Sequence, residues 1–308
     1  MPENDGLFKR AHEALRTKFL PTQIGKTFTS DDVYRFFGLN QKAEHTLFKA
    51  SMAEVLYYLS HRKASAELEQ RGRVYRIINR DMRVISWADA QMGDTLEINW
   101  PCEAQGISWF DFEKSILVYP KDLIVLAGEG NTAKTAFCLN FMIENMDRYP
   151  VFFFTSEFNA PKFRDRMANF DWVNLYREDG SPKFTLVQQD ENWQDVIQPN
   201  AINIIDWIRL DDDLYKIRGI LGSIVDRLDR GIALAVLQKR TYKLVGEGGE
   251  GTKDFASVYL TIRYDKAEQS RVLKVDKVKS PGEYDPNFYE YKFGLEKGCK
   301  FHSIERIP

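Results

Sequence analysis

The sequence has few cysteines and lacks any long apolar run. Its three cysteines, Cys102, Cys138 and Cys299, are odd in number and far apart, which excludes a disulfide framework and a zinc motif. No apolar run approaches the ~20 residues that a membrane-spanning helix requires. The first 20 residues are charged and lack the apolar core of a secretory signal. We therefore expect a cytoplasmic protein with reduced thiols and no membrane contact.

The composition is that of an ordinary globular protein, with 44 % hydrophobic and 29 % charged residues in a chain of 308. This length allows one large domain or two smaller ones. The net charge of −2 conceals an asymmetry: residues 1–80 hold fourteen Lys/Arg against nine Asp/Glu, whereas the remainder holds 29 against 36. A basic N-terminal part on an acidic body indicates that one end contacts a polyanion.

Residues 1–80 predict helices followed by a short basic hairpin. Helices are expected at 7–19 and 41–63, with Ser30 capping another between them, and a strand is expected at 74–78. This order is typical of a winged-helix domain, a small α+β unit whose helices dock on duplex DNA and whose hairpin contacts phosphates. The predicted DNA contacts on or beside the hairpin are Arg62, Lys63, Arg71, Arg73 and Arg76. The alternative is a small helical domain that packs on the body or mediates assembly.

Residues 81–101 are predicted to link this domain to a second domain at 102–308. There, short apolar runs alternate with helical segments, which predicts an α/β fold with a mostly parallel sheet covered by helices. The runs lack strict alternation, as buried central strands do. The expected strands are 123–127, 151–155, 184–187, 202–205 and 232–237, and the expected helices are 135–145, 161–169 and 214–230.

The segment LIVLAGEGNTAKTAF, residues 123–137, has the order of strand, small-residue loop and helix that a phosphate-binding loop requires. Lys134 is expected to reach the β- and γ-phosphates of ATP, and the Thr135 hydroxyl is expected to ligate Mg²⁺. The predicted nucleotide-binding residues are Gly128, Gly130, Asn131, Thr132, Ala133, Lys134 and Thr135.

Ala133 stands where this pattern has a glycine. The position before the lysine often has an unusual backbone conformation, and at positive φ an alanine costs ~1 kcal/mol or more. The β-carbon is small, so nucleotide binding is expected to survive with reduced affinity.

Three polar residues follow further buried strands. Glu157, after VFFFT, is the expected base that activates water, although an acid at a helix N-terminus is the alternative. Asp206 ends the run INIID and is expected to approach the Mg²⁺ shell, making it the second predicted metal residue beside Thr135. Gln238 ends the run IALAVLQ and is expected to contact the γ-phosphate or the attacking water.

The order of GEGNTAKT, FFFTSEF, NIIDW, LAVLQKR and the glycine-rich YKLVGEGGEGTKDFASVYLTI resembles the RecA-like ATPase core. Over about residues 102–295 it is most similar to the ATPase domain of DnaB-type replicative helicases and their phage and plasmid relatives. The resemblance implies that Glu157 activates water, that Asp206 is the Walker B acid and that Gln238 couples nucleotide state to DNA. It also implies a DNA-binding loop at 239–254, facing the centre of a ring or filament. The DNA contacts expected in that loop are Lys239, Arg240 and Lys243.

The segment LKVDKVKSPGE resembles the strand from which this family inserts a basic finger into a neighbouring subunit. Lys277 and Lys279 are the residues that would stabilise the transition state there. ATP hydrolysis would then require that several copies of the chain assemble, because the finger comes from the neighbouring subunit. Alternating lysines are also typical of an exposed edge strand.

Together these features predict an oligomeric, Mg-ATP-dependent, DNA-binding ATPase of replication or recombination, a homo-oligomeric motor whose hydrolysis DNA stimulates. Helicase activity and a replication or recombination partner protein stay open. The expected location is the cytoplasm, in association with the nucleoid, or the host cytoplasm if a phage encodes the chain. One alternative is a DNA-binding or scaffolding filament that ATP controls with slow or no hydrolysis. Another is a regulator related to circadian-clock or recombinase-paralogue ATPases. The N-terminal region does not resemble the helical domain of replicative helicases.

Overall fold

A computed structural model describes residues 3–40, 45–62, 65–80, 94–103, 110–208 and 214–308. The chain divides into two compact units, Met1–Asp89 and Ala90–Pro308. The predicted DNA contact Lys63 lies outside the described residues. Among those residues, no helix combines the length and the apolar character needed to cross a membrane.

The smaller unit combines helices with a three-stranded antiparallel sheet. Its α-helices are α1 (Glu3–Ala14), α2 (Ser30–Phe36) and α3 (Thr46–Ser60), with a π turn at Leu15–Phe19 and a 3₁₀ turn at Leu20–Gln23. Its strands are β1 (Thr27–Thr29), β2 (Leu68–Arg71) and β3 (Val74–Ile77), in the described order β1-β3-β2. One apolar core joins both layers, because Val55 and Leu56 of α3 are packed with Phe28 of β1 and Tyr75 of β3.

The cap of α2 is Thr29, one residue before the predicted Ser30. The Asp32 backbone N–H donates to the Thr29 hydroxyl, and the Thr29 N–H donates to the Asp32 carboxylate at 2.8 Å. This reciprocal pairing satisfies two backbone donors that the helix leaves without partners, so Thr29 outcompetes Ser30 for the cap.

The larger unit is built on one sheet. Its strands are β4 (Leu123–Gly128), β5 (Val151–Thr155), β6 (Thr185–Gln188), β7 (Ile202–Asp206), β8 (Ile232–Gln238), β9 (Val258–Asp265), β10 (Ser270–Val278), β11 (Glu290–Glu296) and β12 (Lys300–Ile307). Within the described ranges these nine strands follow the order β12-β11-β10-β9-β4-β8-β7-β5-β6. Neighbours from β9 to β6 are parallel, whereas β9 to β12 pair antiparallel. The α/β fold with a mostly parallel central sheet is therefore confirmed.

Helices cover both faces of this sheet. They are α4 (Phe112–Ser115), α5 (Lys134–Asn145), α6 (Ala160–Met167), α7 (Trp193–Val196) and α8 (Ile217–Arg227), with 3₁₀ turns at Leu214–Lys216 and Glu250–Lys253. Along β4, Ile124 packs in the core that contains α5, while Val125 packs in the core that contains α8. Because both faces are covered, β4 is apolar throughout.

The larger unit begins before residue 102. Residues 94–101 fall in the predicted linker, yet Trp100 is buried in the core that contains α5. The Asn99 backbone N–H also donates to Asn145 Oδ1 at 3.0 Å. Residues at the end of the predicted linker are therefore packed into the larger unit.

Candidate nucleotide site

The site lies where the central parallel strands end. In register, Gly128 of β4 pairs with Gln238 of β8, and Thr155 of β5 pairs with Asp206 of β7. Parallel strands present their carboxyl ends at one edge of a sheet, which is where open α/β sheets bind ligands. Residues far apart in sequence therefore converge on this edge.

The predicted phosphate loop turns tightly between β4 and α5. Gly128 has no room for a side chain, because a β-carbon there would lie 2.8 Å from Thr132 Oγ1 and 3.1 Å from the Ile262 carbonyl oxygen. The Thr132 hydroxyl donates to the Glu129 carbonyl at 2.9 Å and closes the loop. Asn131 adopts a left-handed backbone with φ of 59°. The loop thus depends on one glycine for close packing and on left-handed residues for its turn.

Ala133 is the second left-handed residue of the loop, with φ of 84° and ψ of 19°, immediately before α5. An L-residue with a β-carbon is strained there by about 1–2 kcal/mol, which explains why the pattern favours glycine. The backbone nevertheless has the conformation that brings Lys134 to the first position of the helix.

Lys134 occupies the centre of the site. Its ammonium donates to the Glu129 carbonyl at 2.5 Å and to Gln238 Oε1 at 3.2 Å. Burial lowers the pKa of Lys134, and the nearby charges of Asp206 and Glu157 oppose that shift. The lysine therefore connects the loop to the end of β8.

Asp206 is the buried acid of the site, with 1 % of its surface exposed. Burial raises its pKa to about 7, although a hydrogen bond with the Thr135 side chain and the charge of Lys134 favour the ionised form. Among the described residues its Oδ2 has no hydrogen-bond partner. A buried acceptor without a donor destabilises the fold unless another group satisfies it. The peptide bond from Asp206 to Trp207 is cis.

A Mg²⁺ ion fits this donor set. The described residues contain no cluster of three or more His, Cys, Asp or Glu side chains that could hold a metal. Mg²⁺ needs no such cluster, because it is usually bound by one or two protein oxygens together with phosphates and water. The Thr135 hydroxyl and the unsatisfied Asp206 oxygen are oxygen donors of that kind.

Glu157 lies beside the cavity and outside the following helix. Helix α6 is capped by Asn159, whose Oδ1 accepts from the Lys162 N–H at 3.0 Å, so Glu157 precedes the cap. Its side chain is exposed, and its charge contributes to the raised pKa of Asp206. A carboxylate in this position is accessible to water and to a bound ligand.

These residues enclose one cavity of about 410 Å³. Of the predicted nucleotide and catalytic residues, its wall includes Gly130, Asn131, Ala133, Lys134, Thr135, Glu157, Asp206 and Gln238. The wall also includes residues that were not among the predicted site residues: Ala136, Phe158, Lys162, Arg166, Trp207, Arg271, Leu295 and Gly298. Lys162 and Arg166 are four residues apart on α6, shortly after Glu157. This spacing places both on one face of the helix, so the sequence alone could have indicated them. Arg271 and Leu295 come from the distant strands β10 and β11, Gly298 comes from the turn between β11 and β12, and none of the three belongs to a local motif.

The cations of the predicted DNA-binding loop after β8 differ in their exposure to solvent. Lys239 is 6 % exposed, and its ammonium lies 3.6 Å from Glu129 Oε1 and donates to the Lys243 carbonyl at 3.0 Å. Arg240 and Lys243 are exposed beside Tyr242, which is 72 % exposed. The Lys239 ammonium therefore faces the phosphate loop.

The lysines predicted as a basic finger lie away from the cavity of their own chain. Lys277 is half-buried near the end of β10, and its ammonium donates to the Lys253 carbonyl. Lys279 is exposed just beyond the strand. A bulge between Val275 and Lys277 shifts the register against β9.

The hairpin arginines of the smaller unit differ in their partners. Arg71 and Arg76 both pair with Glu69, which reduces the charge available to an anion. Arg73 makes no ion pair with any described residue. Arg62 lies with its guanidinium carbon 4.5 Å from the centre of the Tyr58 ring.

A scan against protein-family models finds no match, and a search of curated proteins finds none either. Among solved structures, the chain is similar to a KaiC-like protein from the hyperthermophilic archaeon Pyrococcus horikoshii OT3. The TM-score is 0.52 at 19 % sequence identity, and the match covers 68 % of this chain and 99 % of that chain. At this identity the likeness shows the fold, which is RecA-like.

Proposed function

We propose that this chain is an oligomeric Mg-ATP-dependent ATPase that acts on DNA in replication or recombination. The observation that carries the proposal is the convergence of Lys134, Thr135, Glu157, Asp206 and Gln238 on one cavity at the carboxyl edge of the parallel sheet. A loop of backbone N–H groups followed by a helix N-terminus suits phosphates, and the flanking acids suit hydrolysis.

Each side chain has a distinct role in this proposal. The Lys134 ammonium would hold the β- and γ-phosphates, and Thr135 and Asp206 would hold Mg²⁺. When bound, Mg²⁺ supplies positive charge that neutralises the phosphates. The exposed Glu157 carboxylate accepts a proton from the attacking water and orients that water towards the γ-phosphate.

Gln238 links the cavity to the loop after β8. It accepts a hydrogen bond from Lys134, and the next residue, Lys239, lies beside Glu129 of the phosphate loop. A γ-phosphate that attracts Lys134 competes with Gln238 for the same ammonium. Nucleotide binding therefore changes the contacts at the start of the 239–254 loop, where exposed Arg240 and Lys243 meet DNA.

The smaller unit is proposed to be a winged-helix domain. Its order of helix, strand, two helices and two strands, with an antiparallel sheet, supports this assignment. Arg62 and Arg73 are its strongest phosphate contacts, because Arg71 and Arg76 share Glu69. Duplex binding by this unit would position the ATPase.

Assembly is proposed to complete the site. Lys277 and Lys279 do not reach the cavity of their own chain, which suits a role in the site of a neighbouring subunit. A homo-oligomeric ring or filament would then be required for full hydrolysis.

The experiment that tests this function is steady-state ATP hydrolysis with and without single-stranded and double-stranded DNA. Lys134→Ala and Glu157→Gln are measured beside the wild type. DNA-stimulated turnover that both substitutions abolish supports a DNA-dependent ATPase. Glu157→Gln should still bind ATP, because its carboxylate does not hold phosphate.

A second function, an ATP-controlled filament with slow or no hydrolysis, is favoured by Ala133. Strain at a φ of 84° in the loop gives a physical reason for weakened catalysis. This alternative predicts ATP-dependent assembly, seen by light scattering, without turnover. Such a result would contradict the first proposal.

A further inference from the structure

The cavity wall contains more cations than the phosphate loop supplies. Besides Lys134, it includes Lys162 and Arg166 of α6 and Arg271 of β10. Lys162 is exposed, with its ammonium 5.4 Å from the centre of the Phe158 ring. The Lys162 ammonium also donates to the Glu157 carbonyl at 3.5 Å, whereas Arg166 is half-buried and its guanidinium donates to the Gly298 carbonyl of a distant turn.

That contact comes from the turn between β11 and β12. Arg166 Nη1 donates to the Gly298 carbonyl at 3.0 Å. Gly298 has φ of +70°, and a β-carbon there would lie 2.5 Å from Arg166 Nη1. Glycine therefore permits both the turn and the approach of the guanidinium.

The turn is itself tied to the helix that follows the phosphate loop. The buried Asn140 of α5 donates its side-chain N–H to the Cys299 carbonyl at 2.8 Å. On the other side, the Lys300 ammonium lies 2.8 Å from Asp171 Oδ1. Arg166 is thus positioned relative to α5, whose first residue is Lys134.

The guanidinium has unused hydrogen-bonding capacity. An arginine carries five N–H donors in a planar fork that matches phosphate oxygens. Among the described residues, the Gly298 carbonyl is the one hydrogen-bond acceptor of Arg166. Arg166 is also close enough to Asp206 for its charge to lower the pKa of that acid. It therefore adds positive charge to the side of the cavity where the proposed metal residue lies.

We propose that Arg166 is a phosphate ligand contributed by the same chain, oriented by the Gly298 carbonyl. The inference rests on the proposed function and deepens it, because it assigns polyphosphate recognition to α6 as well as to the phosphate loop. Since Arg166 belongs to the chain whose cavity it lines, its contribution does not depend on assembly, unlike that of Lys277 and Lys279.

The test measures binding of fluorescent ATP, ADP and AMP analogues to the full chain. Arg166→Ala is expected to weaken ATP binding by about tenfold or more, the loss of one charged hydrogen bond or two. AMP binding should change by less than about threefold, because fewer phosphates meet the guanidinium. The matched control is Arg164→Ala, which removes an exposed arginine from the last turn of α6 outside the cavity wall and should leave binding unchanged.

A second variant tests the orienting contact. Gly298→Ala is expected to displace the guanidinium and to weaken ATP binding in the same direction as Arg166→Ala. Arg166→Lys should restore part of the affinity, because it retains charge but loses the fork.

Two results overturn the inference. If Arg166→Ala binds ATP as the wild type does while Lys134→Ala does not, the inference fails and the proposed function stands. If Arg166→Ala weakens ATP, ADP and AMP equally and lowers the unfolding temperature, Arg166 only stabilises the β11–β12 turn. If the wild type itself binds no ATP, the proposed function fails, which is a different outcome.

Discussion

The Lys134 ammonium donates a hydrogen bond to Gln238 Oε1 at 3.2 Å, although 104 positions separate the two residues in sequence. The contact joins the first residue of α5 to the last residue of β8. It exists because β4 and β8 are parallel neighbours whose ends lie in register at Gly128 and Gln238. A ligand that binds the Lys134 ammonium must therefore alter the hydrogen bonding of Gln238.

Replacing Gln238 should leave ATP binding largely intact while it removes the stimulation of ATP hydrolysis by DNA. We expect Gln238→Ala to keep ATP affinity within about fivefold, because a neutral hydrogen bond contributes only ~1 kcal/mol. Stimulation of hydrolysis by DNA should be largely lost, because the contact between the cavity and the following loop is gone. Gln188→Ala is the matched control, since Gln188 ends the parallel strand β6 without lining the cavity. Unchanged stimulation in Gln238→Ala would contradict the proposed coupling.

Restoring glycine in the phosphate loop should relieve strain. With φ of 84° at Ala133, we expect Ala133→Gly to raise the free energy of unfolding by about 0.5–1 kcal/mol. The glycine's greater freedom in the unfolded chain offsets part of the gain. Ala136→Gly, within the following helix α5 at ordinary helical geometry, should lower the free energy of unfolding by about 1 kcal/mol. Denaturant unfolding measures both, and a destabilised Ala133→Gly protein would show that the alanine is not strained.

The contribution of Asp206 to the stability of the metal-free and nucleotide-free protein should fall as pH rises from about 4 to 7. The pKa of Asp206 is raised from 3.8 to about 7 in the folded state, so the folded chain keeps a proton that the unfolded chain releases in this range. The loss amounts to roughly 4 kcal/mol and is complete above the folded pKa.

Unfolding by denaturant at several pH values, in wild type and Asp206→Asn, measures this effect. The difference between the two proteins isolates Asp206, because burial also raises the pKa of Glu113, Asp122 and Glu144. Parallel pH profiles in the two proteins would exclude a raised pKa at Asp206.

Two adjacent cations of the 239–254 loop should respond differently to substitution. Arg240 is exposed, so Arg240→Ala should weaken DNA binding and reduce its salt dependence by the equivalent of ~1 phosphate contact. Lys239 is buried against Glu129, so Lys239→Ala should keep that salt dependence and lower the free energy of unfolding by about 1–3 kcal/mol. DNA binding measured against salt, together with denaturant unfolding, distinguishes them. Equal losses of DNA affinity would mean that Lys239 leaves its buried position on DNA.

Local motifs made much of the site predictable. The strand, loop and helix around LIVLAGEGNTAKTAF are contiguous in sequence, so their geometry follows from nearest-neighbour stereochemistry. Glu157, Asp206 and Gln238 could be predicted because each ends or follows an apolar run, and parallel strands end at one edge. The apolar runs also predicted the α/β class, since strands covered on both faces need no polar alternation.

Other features needed contacts between distant segments. The direction of the Lys239 side chain depends on Glu129, and no pattern near Lys239 indicates that it is buried. Arg166 meets the Gly298 carbonyl across 132 positions, through a turn whose sequence resembles no binding motif. The extent of the linker likewise depended on Trp100, whose burial is a property of the packed core.

The sequence by itself determined the α/β class and the strand, loop and helix of residues 123–137, because both arise from short-range patterns of apolar and small residues. Only the tertiary structure decided which charges share the cavity, that Ala133 is left-handed, and that Asp206 is buried with an unsatisfied oxygen. The physical reason is that burial, desolvation and charge proximity depend on distances in space, and packing of nine strands sets those distances within the described part of the chain.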